Sequence, residues 1–283
     1  MAEQVTVGGQ AVIEGVMMMS KHRVATAVRK NTGEIVLNVD DFQSLTHRVR
    51  VLSLPFIRGV VSLFEMMYVG VKTLIWSANQ QDDSGAGQLS SWEVALTLLT
   101  SLAASLFIFV FVPYAMTYVI TAEQNVVFNV IDGVFRLLIF VVYISGISLM
   151  KDIGRIFQYH GAEHKTVNCF ESGKELTARN VLACSRIHPR CGTSLIVFVL
   201  GLSIVLFSVI KSPTWWVNVV LRVVLIPVIA GISYEIIRFG ARHLDSAVMR
   251  VIVKPGLLTQ AITTREPTKE QCEVAIRALR AAL

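Results

Sequence analysis

The sequence has little charge for its length. Of its 283 residues only 16% are Asp, Glu, Lys or Arg, whereas 53% are hydrophobic. A soluble globular protein carries about 25% charged residues, so this chain has too little polar surface to cover itself in water. The apolar content excludes a disordered chain, and four cysteines are too few for a disulfide-stapled mini-domain. A membrane protein or an unusually apolar globule remains.

Long apolar runs decide between these two classes. A helix needs about 20 mainly apolar residues to cross the hydrocarbon core of a bilayer. Only short polar links separate the first run from the second and the third from the fourth, so each pair is expected to form a tight hairpin. The sequence therefore predicts a mainly α membrane protein with four transmembrane helices in two hairpins. The runs cover residues 94–120, 126–150, 194–210 and 215–237.

The basic residues predict the orientation of the chain. Lys and Arg in short flanking segments stay on the cytoplasmic side of a membrane. Of the 26 basic residues, 23 lie before the first run, between the second and third, or after the fourth. Both termini and the middle loop are therefore expected in the cytoplasm. The same rule explains the net charge of +6, so the expected partners are the lipid bilayer and a membrane protein or a second copy of the chain, not nucleic acid.

The first 54 residues predict a small cytoplasmic sheet. They are punctuated by glycine and rich in β-branched residues, and about three strands are expected, over residues 10–19, 24–29 and 35–39. A sheet of this size has to pack against another element to be stable.

Residues 55–79 predict an amphipathic helix. Arg58, Glu65 and Lys72 recur at every seventh position and fall on one narrow stripe. The helix either lies in the membrane interface or packs against the bundle as a partly embedded segment. In the C-terminal tail, Pro255 is expected to end an apolar segment and Thr268 to begin a helix.

These features divide the chain into six predicted parts, of which the fourth holds most of the metal-binding residue types. The parts are an N-terminal segment with strands at 1–54, an amphipathic helix and linker at 55–91, a transmembrane hairpin at 92–150, a cytoplasmic loop at 151–193, a second hairpin at 194–237 and a cytoplasmic tail at 238–283.

The cytoplasmic loop concentrates histidine and cysteine. Three of the six histidines and three of the four cysteines lie between His160 and Cys191. On a helix, His160 and His164 share one face, which allows two imidazoles to hold one metal ion. Glu163 neighbours both and is placed to take a proton from water. The spacing H-x-x-E-H is that of the inverted zinc peptidases.

Three interpretations of this loop stay open. A third ligand from Glu171, Glu175 or His188 would complete a catalytic site for a divalent metal ion, with zinc as the first choice and one position left open. Two of Cys184, His188 and Cys191, together with His160 and His164, would instead close a four-coordinate structural site. In the third interpretation no metal is bound, and the polar residues form a network at the membrane surface.

Two polar residues of the predicted sheet are further candidates. Gln10 and Glu14 lie in a Gly-flanked, Met-rich segment. If the sheet folds over the loop, Glu14 supplies the missing carboxylate ligand. The alternative is that Glu14 pairs with a nearby arginine.

Ionisable residues inside the predicted spans form another group. Charges at membrane depth cost several kcal/mol unless they are paired, so each is a functional candidate. Asp132 and Arg136 are four residues apart and can pair on one helix face. Arg136 and Arg222 are expected to face the bundle interior, towards a lipid headgroup or a polar cavity. Glu235 is expected either to contact the cytoplasmic loop or to pair with Arg238.

Four motifs give the sequence a specific resemblance. They are GGQAVIEGVMM at 8–18, HGAEHKT at 160–166, HPRCGTS at 188–194 and AGISYE at 230–235. With these motifs in order over nearly the whole chain, the sequence resembles the YqhQ-like family of bacterial integral-membrane proteins of unknown function. The resemblance implies a bacterial inner-membrane location and a metal-dependent enzyme in which His160, Glu163 and His164 carry the chemistry. It implies no substrate.

Two functions of different classes follow as hypotheses. The first is a membrane-embedded metal-dependent hydrolase at the cytoplasmic membrane face, with Glu163 as general base towards a peptide, amide or ester. The second is a non-enzymatic membrane assembly factor or translocation-machinery partner, whose loop is stiffened by a structural metal or by hydrogen bonds.

Overall fold

The computed structural model is mainly helical and carries one small sheet, which confirms the predicted fold class. It describes residues 7–81, 90–123, 125–210, 212, 214–243 and 245–283. The predicted linker falls largely at 82–89, outside the described residues.

Four antiparallel strands form the sheet, one more than the sequence predicted. They are β1 (Gly8–Val12), β2 (Gly15–Met19), β3 (Arg23–Arg29) and β4 (Ile35–Asp41), hydrogen-bonded in that order. The predicted strand at 10–19 is two strands, because Val12 pairs with Gly15 across a two-residue turn. In this turn Glu14 adopts a φ of 51°, a conformation that usually requires Gly or Asn. The turn therefore has no signal in the sequence.

Helices account for most of the remaining chain. Single turns of 3₁₀ and π helix lie at Arg50–Ser53 and Phe107–Phe111. The α-helices are α1 (Leu45–Arg48), α2 (Ile57–Asn79), α3 (Ser91–Leu106), α4 (Val112–Ile120), α5 (Val126–Ser148), α6 (Lys151–Glu171), α7 (Ala178–Leu182), α8 (Gly192–Val209), α9 (Trp215–Val224), α10 (Ile226–Arg242), α11 (Ala247–Thr263) and α12 (Lys269–Ala282).

The sheet lies between two helical layers. One face packs against α6 and α12, and the other packs against α2 around Val69. Because successive side chains of a strand point to opposite faces, neighbouring residues of β2 enter different cores: Met17 packs with Val69, whereas Met18 packs with Tyr159 and Cys272. This arrangement supplies the support that so small a sheet needs.

Four helical segments among the described residues are long and apolar enough to cross a membrane. They are α2, Trp92–Ile120, α5 and α8. The fourth predicted span, at 215–237, is instead two helices, α9 and α10, bent by 44°. Pro227 lies in the first turn of α10, where a proline removes a main-chain donor and restricts the residue before it. The bent pair would make a fifth span if it crosses as one.

Two further helix boundaries differ from the predicted ones or refine them. The helix at 126–150 stops at Ser148, and α6 begins separately at Lys151. Residue Pro255 lies inside α11 and does not end it; the helix continues because it packs against α8, where Gly256 lies directly against Ser194. The predicted start of the last helix at Thr268 is confirmed by a capping box.

Candidate metal centre

Helix α6 brings two imidazoles together one turn apart. The ring centroids of His160 and His164 are 4.4 Å apart. Their Nδ1 atoms bond to the main-chain carbonyls of Thr263, at 2.9 Å, and Arg186, at 2.6 Å. A carbonyl only accepts, so each Nδ1 carries the donated proton, and Nε2 is the atom with which each ring can bind a metal ion. Metal-binding histidines are commonly held in this way.

The third member of the cluster is Cys191. Its Sγ lies 3.3 Å from Nε2 of His160, and ligand atoms of His160, His164 and Cys191 all lie within 4.8 Å of one another. Around a tetrahedral zinc ion such atoms would be about 3.3–3.8 Å apart, so a small contraction would suffice. Cys191 is also the N-cap of α8, and a helix N-terminus favours the negative charge of a thiolate. Nitrogen and sulfur donors of this kind suit zinc.

Glu163 lies beside the cluster and faces the sheet. Its Oε2 is 3.5 Å from Nε2 of His164, and only 6% of the residue is exposed. The side chain packs against Gly9 of β1. A buried carboxylate therefore lies next to three potential ligands without belonging to the group that they form.

The predicted ligands Glu171 and His188 are not among the converging ligand atoms, although the ring centroid of His188 lies 5.8 Å from that of His164. They pair with each other at 3.4 Å, and Arg190 also binds Glu171. Burial acts to raise the pKa of Glu171, but the hydrogen bonds from His188 and Arg190 outweigh it and hold the pKa below its usual value. The main-chain N–H of His188 donates to Gln260 at 2.9 Å, which fixes the residue close to the centre but not in it.

The other cysteine of the structural interpretation, Cys184, is also outside the cluster. Its thiol donates to the carbonyl of Asn180 at 3.3 Å. Burial raises the pKa of its neighbour Cys169 to about 11, and contact with Cys184 adds to the effect. These two thiols line the hydrophobic core between α6 and α7.

The structure places Glu14 and Gln10 outside the cluster as well. Glu14 accepts from Arg155 with both oxygens, at 2.5 Å to Nε, and from the Tyr159 hydroxyl at 3.3 Å. Burial raises the pKa of Tyr159, and Glu14 raises it further. Gln10 packs against Gly70 of α2. Glu14 thus follows the alternative of pairing with an arginine.

The ionisable residues of the spans form a second buried cluster. Arg136 donates to Asp132 at 3.0 Å, and Arg222 donates both to the same oxygen of Asp132 and, at 2.8 Å, to Asn129. The Arg222 guanidinium also lies over three aromatic rings, at 4.7 Å from Phe207, 5.0 Å from Tyr114 and 5.8 Å from Phe128. Both arginines face the helix bundle.

Glu235 takes a partner that the sequence did not indicate. It accepts two hydrogen bonds from Arg58, at 2.7 and 2.6 Å, rather than pairing with Arg238. The expectation that it contacts the cytoplasmic loop is not met. Gly59 and Gly231 bring α2 and α10 into close contact beside this pair.

Sequence reasoning missed several groups that shape the centre. The carbonyls of Thr263 and Arg186 belong to the main chain and have no residue-type signal. Gln260, which holds His188, is a buried polar residue of α11 far away in the sequence. Gly9 was missed as well, although the Gly8-Gly9 pair is a sequence signal for a place where the backbone can approach another group closely.

The chain is similar to proteins of a known family. Residues 54–283 match the family described as "Protein of unknown function (DUF1385)". The chain belongs to this family. It is also 34% identical to the "Uncharacterized protein YqhQ" of Bacillus subtilis (strain 168), over 95% of this chain and 89% of the relative, which confirms the resemblance drawn from the four motifs. No solved structure matches the chain.

Proposed function

We propose that this member of the DUF1385 family is a metal-dependent hydrolase of the bacterial inner membrane, acting at the cytoplasmic face. The observation that carries the proposal is the convergence of His160, His164 and Cys191, with both imidazoles already oriented by main-chain carbonyls. Catalytic zinc sites use three protein ligands and keep a fourth position open. Closed structural sites use four.

Glu163 is the proposed general base. A divalent ion held by the three ligands would lower the pKa of a water molecule at its open position to about 7. Glu163, 3.5 Å from His164, is close enough to accept the proton of that water and later to return it to the leaving group. The carbonyl partners of His160 and His164 keep their Nε2 atoms directed at the centre during both steps.

The orientation follows from the charge distribution. The 23 basic residues outside the four spans predicted from the sequence belong to the segments that carry the sheet, α2, α6 and the C-terminal helices. We therefore place both termini and the metal centre on the cytoplasmic side. There the thiol of Cys191 stays reduced and available as a ligand.

Metal analysis of three proteins tests the proposal. Wild type, purified without chelator, is expected to hold about one zinc ion per chain, and Glu163→Gln is expected to hold the same amount. His164→Ala should lose the metal, whereas the exposed His47→Ala serves as a matched control and should keep it. A wild-type protein that binds no zinc, cobalt or manganese would refute the proposal.

Hydrolysis assays separate catalysis from metal binding. On a panel of fluorogenic peptides, amides and esters, Glu163→Gln should lose about 10²–10⁴-fold in rate while its metal content is unchanged, because general base catalysis contributes that much. Full activity in a metal-loaded Glu163→Gln protein would remove the assigned role of this carboxylate.

The second candidate function is that of a non-enzymatic assembly factor or partner of other membrane proteins, in which the metal is structural. The low exposure of two ligands favours a structural metal, since His164 and Cys191 are 2% and 7% exposed. The cluster also joins α6, α8 and the end of α11. In that case Glu163→Gln would leave both the metal content and the cellular function of the protein intact.

A further inference from the structure

Strand β1 is a free edge of the sheet. Among the residues that the structure describes, it pairs with β2 and with no other strand, because it stands at the end of the strand order. The two-residue turn makes Val12 and Gly15 a hydrogen-bonded pair, and hydrogen-bonded and non-hydrogen-bonded pairs then alternate along the strand. Gly9 and Ala11 belong to the non-hydrogen-bonded pairs. Their N–H and C=O groups therefore point away from β2.

This strand lies against Glu163 at Gly9. A Cβ at Gly9 would be 2.8 Å from Cγ and 3.1 Å from Oε1 of Glu163, and 2.6 Å from the carbonyl oxygen of Met17. These distances are too short for any side chain, so only glycine allows the strand to approach the carboxylate so closely. Because a Cβ points out of the plane of a sheet, Glu163 lies over the face of β1. A strand added at the edge of β1 would lie about 4.8 Å from it and therefore near the proposed general base.

The outward groups are left without partners. Within the described part of the chain, the N–H and C=O groups of Gly9 and Ala11 accept or donate no hydrogen bond outside the sheet. Both residues are only half-buried. Main-chain polar groups in such positions are nearly always paired, with protein, ligand or water. An extended segment laid along β1 would pair all four groups at once.

The opposite edge of the sheet has a different character. There β4 ends in Asp40 and Asp41, and Lys72 binds Asp40 at 2.9 Å. Charged residues on an edge strand discourage the addition of another strand. By contrast, β1 (Gly8–Val12) carries no charged residue. Of the two edge strands in the described part of the chain, β1 is therefore the one that combines an uncharged edge with a contact to Glu163.

We propose that the free edge of β1 binds an extended polypeptide segment as an added strand, with its main chain beside Glu163. This inference rests on the hydrolase function proposed above and names its substrate class: a peptide bond in an unfolded or extended stretch of polypeptide. Recognition by main-chain hydrogen bonds gives affinity without strict sequence specificity. Gly9 and Ala11 are positioning residues in this arrangement.

Peptide binding to the full-length protein tests the inference. The probe is a fluorescein-labelled decapeptide of alternating Thr and Val, titrated into the Glu163→Gln protein in detergent so that the peptide stays uncut. A matched peptide, N-methylated at every second residue, lacks the donors of one edge. Each lost ladder bond should weaken binding by about two- to tenfold, so the methylated peptide should bind at least tenfold more weakly.

Two proline variants locate the binding edge. Ala11→Pro removes an outward N–H of β1 but no bond to β2, and proline is tolerated on edge strands. It should weaken binding of the unmethylated peptide by about two- to tenfold. Val39→Pro, the matched change at the β4 edge, should not. Metal content measured on both variants checks that the centre is intact.

The outcomes separate this inference from the proposed hydrolase function. Equal binding of the methylated and unmethylated peptides, equal loss in both proline variants, or no peptide binding at all would overturn it. Those results would leave metal content and ester hydrolysis untouched. If instead the protein binds no metal but still binds the peptide at β1, the hydrolase function fails and the peptide-binding edge stands.

Discussion

The two buried polar clusters of the molecule differ in how their charges are satisfied. Between α5 and α9, Asp132 lies between two guanidinium groups, and aromatic rings surround Arg222. Where α6 meets α8, His160 and His164 bond to carbonyls through Nδ1, and their Nε2 atoms lie 3.3 Å from Sγ of Cys191 and 3.5 Å from Oε2 of Glu163. The first cluster pairs opposite charges, and among the described residues Oδ1 of Asp132 and Nε of Arg136 are buried without a hydrogen-bond partner. The second cluster brings together three side chains that can each bind a metal ion.

This difference supports a structural role for the first cluster and fits the role proposed above for the second. A charge inside a membrane bundle must be paired, and Asp132 is the one carboxylate that pairs with both arginines. Cation–π contacts stabilise the remaining positive charge. The first cluster thereby joins α4, α5, α8 and α9. The second cluster joins residue types that bind metal ions, and main-chain carbonyls orient both of its imidazoles.

The largest expected effect concerns the structural cluster. Asp132→Asn removes the counter-charge of Arg136 and Arg222 and should destabilise the folded protein by about 3–5 kcal/mol, as the loss of one partner from a buried ion pair does. Thermal unfolding in detergent, followed by circular dichroism, measures the loss. The fraction that folds should still bind metal with wild-type stoichiometry.

A lipid-facing substitution controls for this change. Val134 is exposed on the same helix, so Val134→Ala should shift the unfolding midpoint very little. If Asp132→Asn proved as mild as Val134→Ala, or if its folded fraction lost the metal, the division between a structural and a functional cluster would not hold.

A smaller change in stability is expected at the metal centre, where bound zinc should stabilise the folded protein. Zinc at a free concentration of 100 times its Kd should stabilise the wild-type protein by about 2.7 kcal/mol. Cys191→Ala should lose this response, because a proposed thiolate ligand is removed. Its stability without metal should also fall by about 0.5–2 kcal/mol relative to the metal-free wild type, because Cys191 is the N-cap of α8. The shift in unfolding midpoint between samples with zinc and samples with a chelator measures how much zinc stabilises each protein.

A neighbouring cysteine provides the control for this experiment. Cys184→Ala changes a thiol of the same loop that bonds to Asn180 and not to the cluster. Its zinc response should equal that of the wild type. Loss of the response in Cys184→Ala as well would instead support the four-coordinate structural site that includes both cysteines.

The confirmed sequence predictions rest on the helical repeat and on the length of the apolar runs. Two of these runs predicted α5 and α8, because the thickness of a bilayer fixes the length of a spanning helix. The spacing of His160 and His164 placed them on one face, because the α-helix repeats every 3.6 residues. Thr268 and Gln271 gave the start of the last helix. In each case neighbouring residues decide the structure, so the sequence is enough.

Contacts between distant segments could not be predicted from the sequence. The approach of Cys191 to His160 and His164 depends on how residues 172–191 fold back along α6, and both histidine carbonyl partners come from other elements. The turn at Glu14 has positive φ without Gly or Asn, since its carboxylate is held by Arg155. The pairing of Arg58 with Glu235 links residues 177 apart in the sequence. Local patterns contain no information on such contacts.

The smallest expected effect concerns the rim of the metal centre, where Glu171 binds His188 and Arg190. The pKa of Glu171 is lowered in the folded state, so its stabilising effect is present above its unfolded pKa of about 4.3 and disappears as the pH falls through the folded value. Because the side chain is 32% exposed, Glu171→Gln should cost only about 0.5–1 kcal/mol at pH 7.

Unfolding midpoints of Glu171→Gln and wild type, compared at pH 7 and near pH 3, measure this effect. The difference between the two proteins should vanish at the lower pH. Glu175→Gln, at an exposed position of the same loop, should show no such pH dependence.

The metal content of Glu171→Gln decides whether Glu171 is itself a ligand. If the variant lost the metal, this carboxylate would be a ligand, as the sequence alone predicted, and the centre would extend to the rim. If the variant keeps the metal, His160, His164 and Cys191 bind it without Glu171.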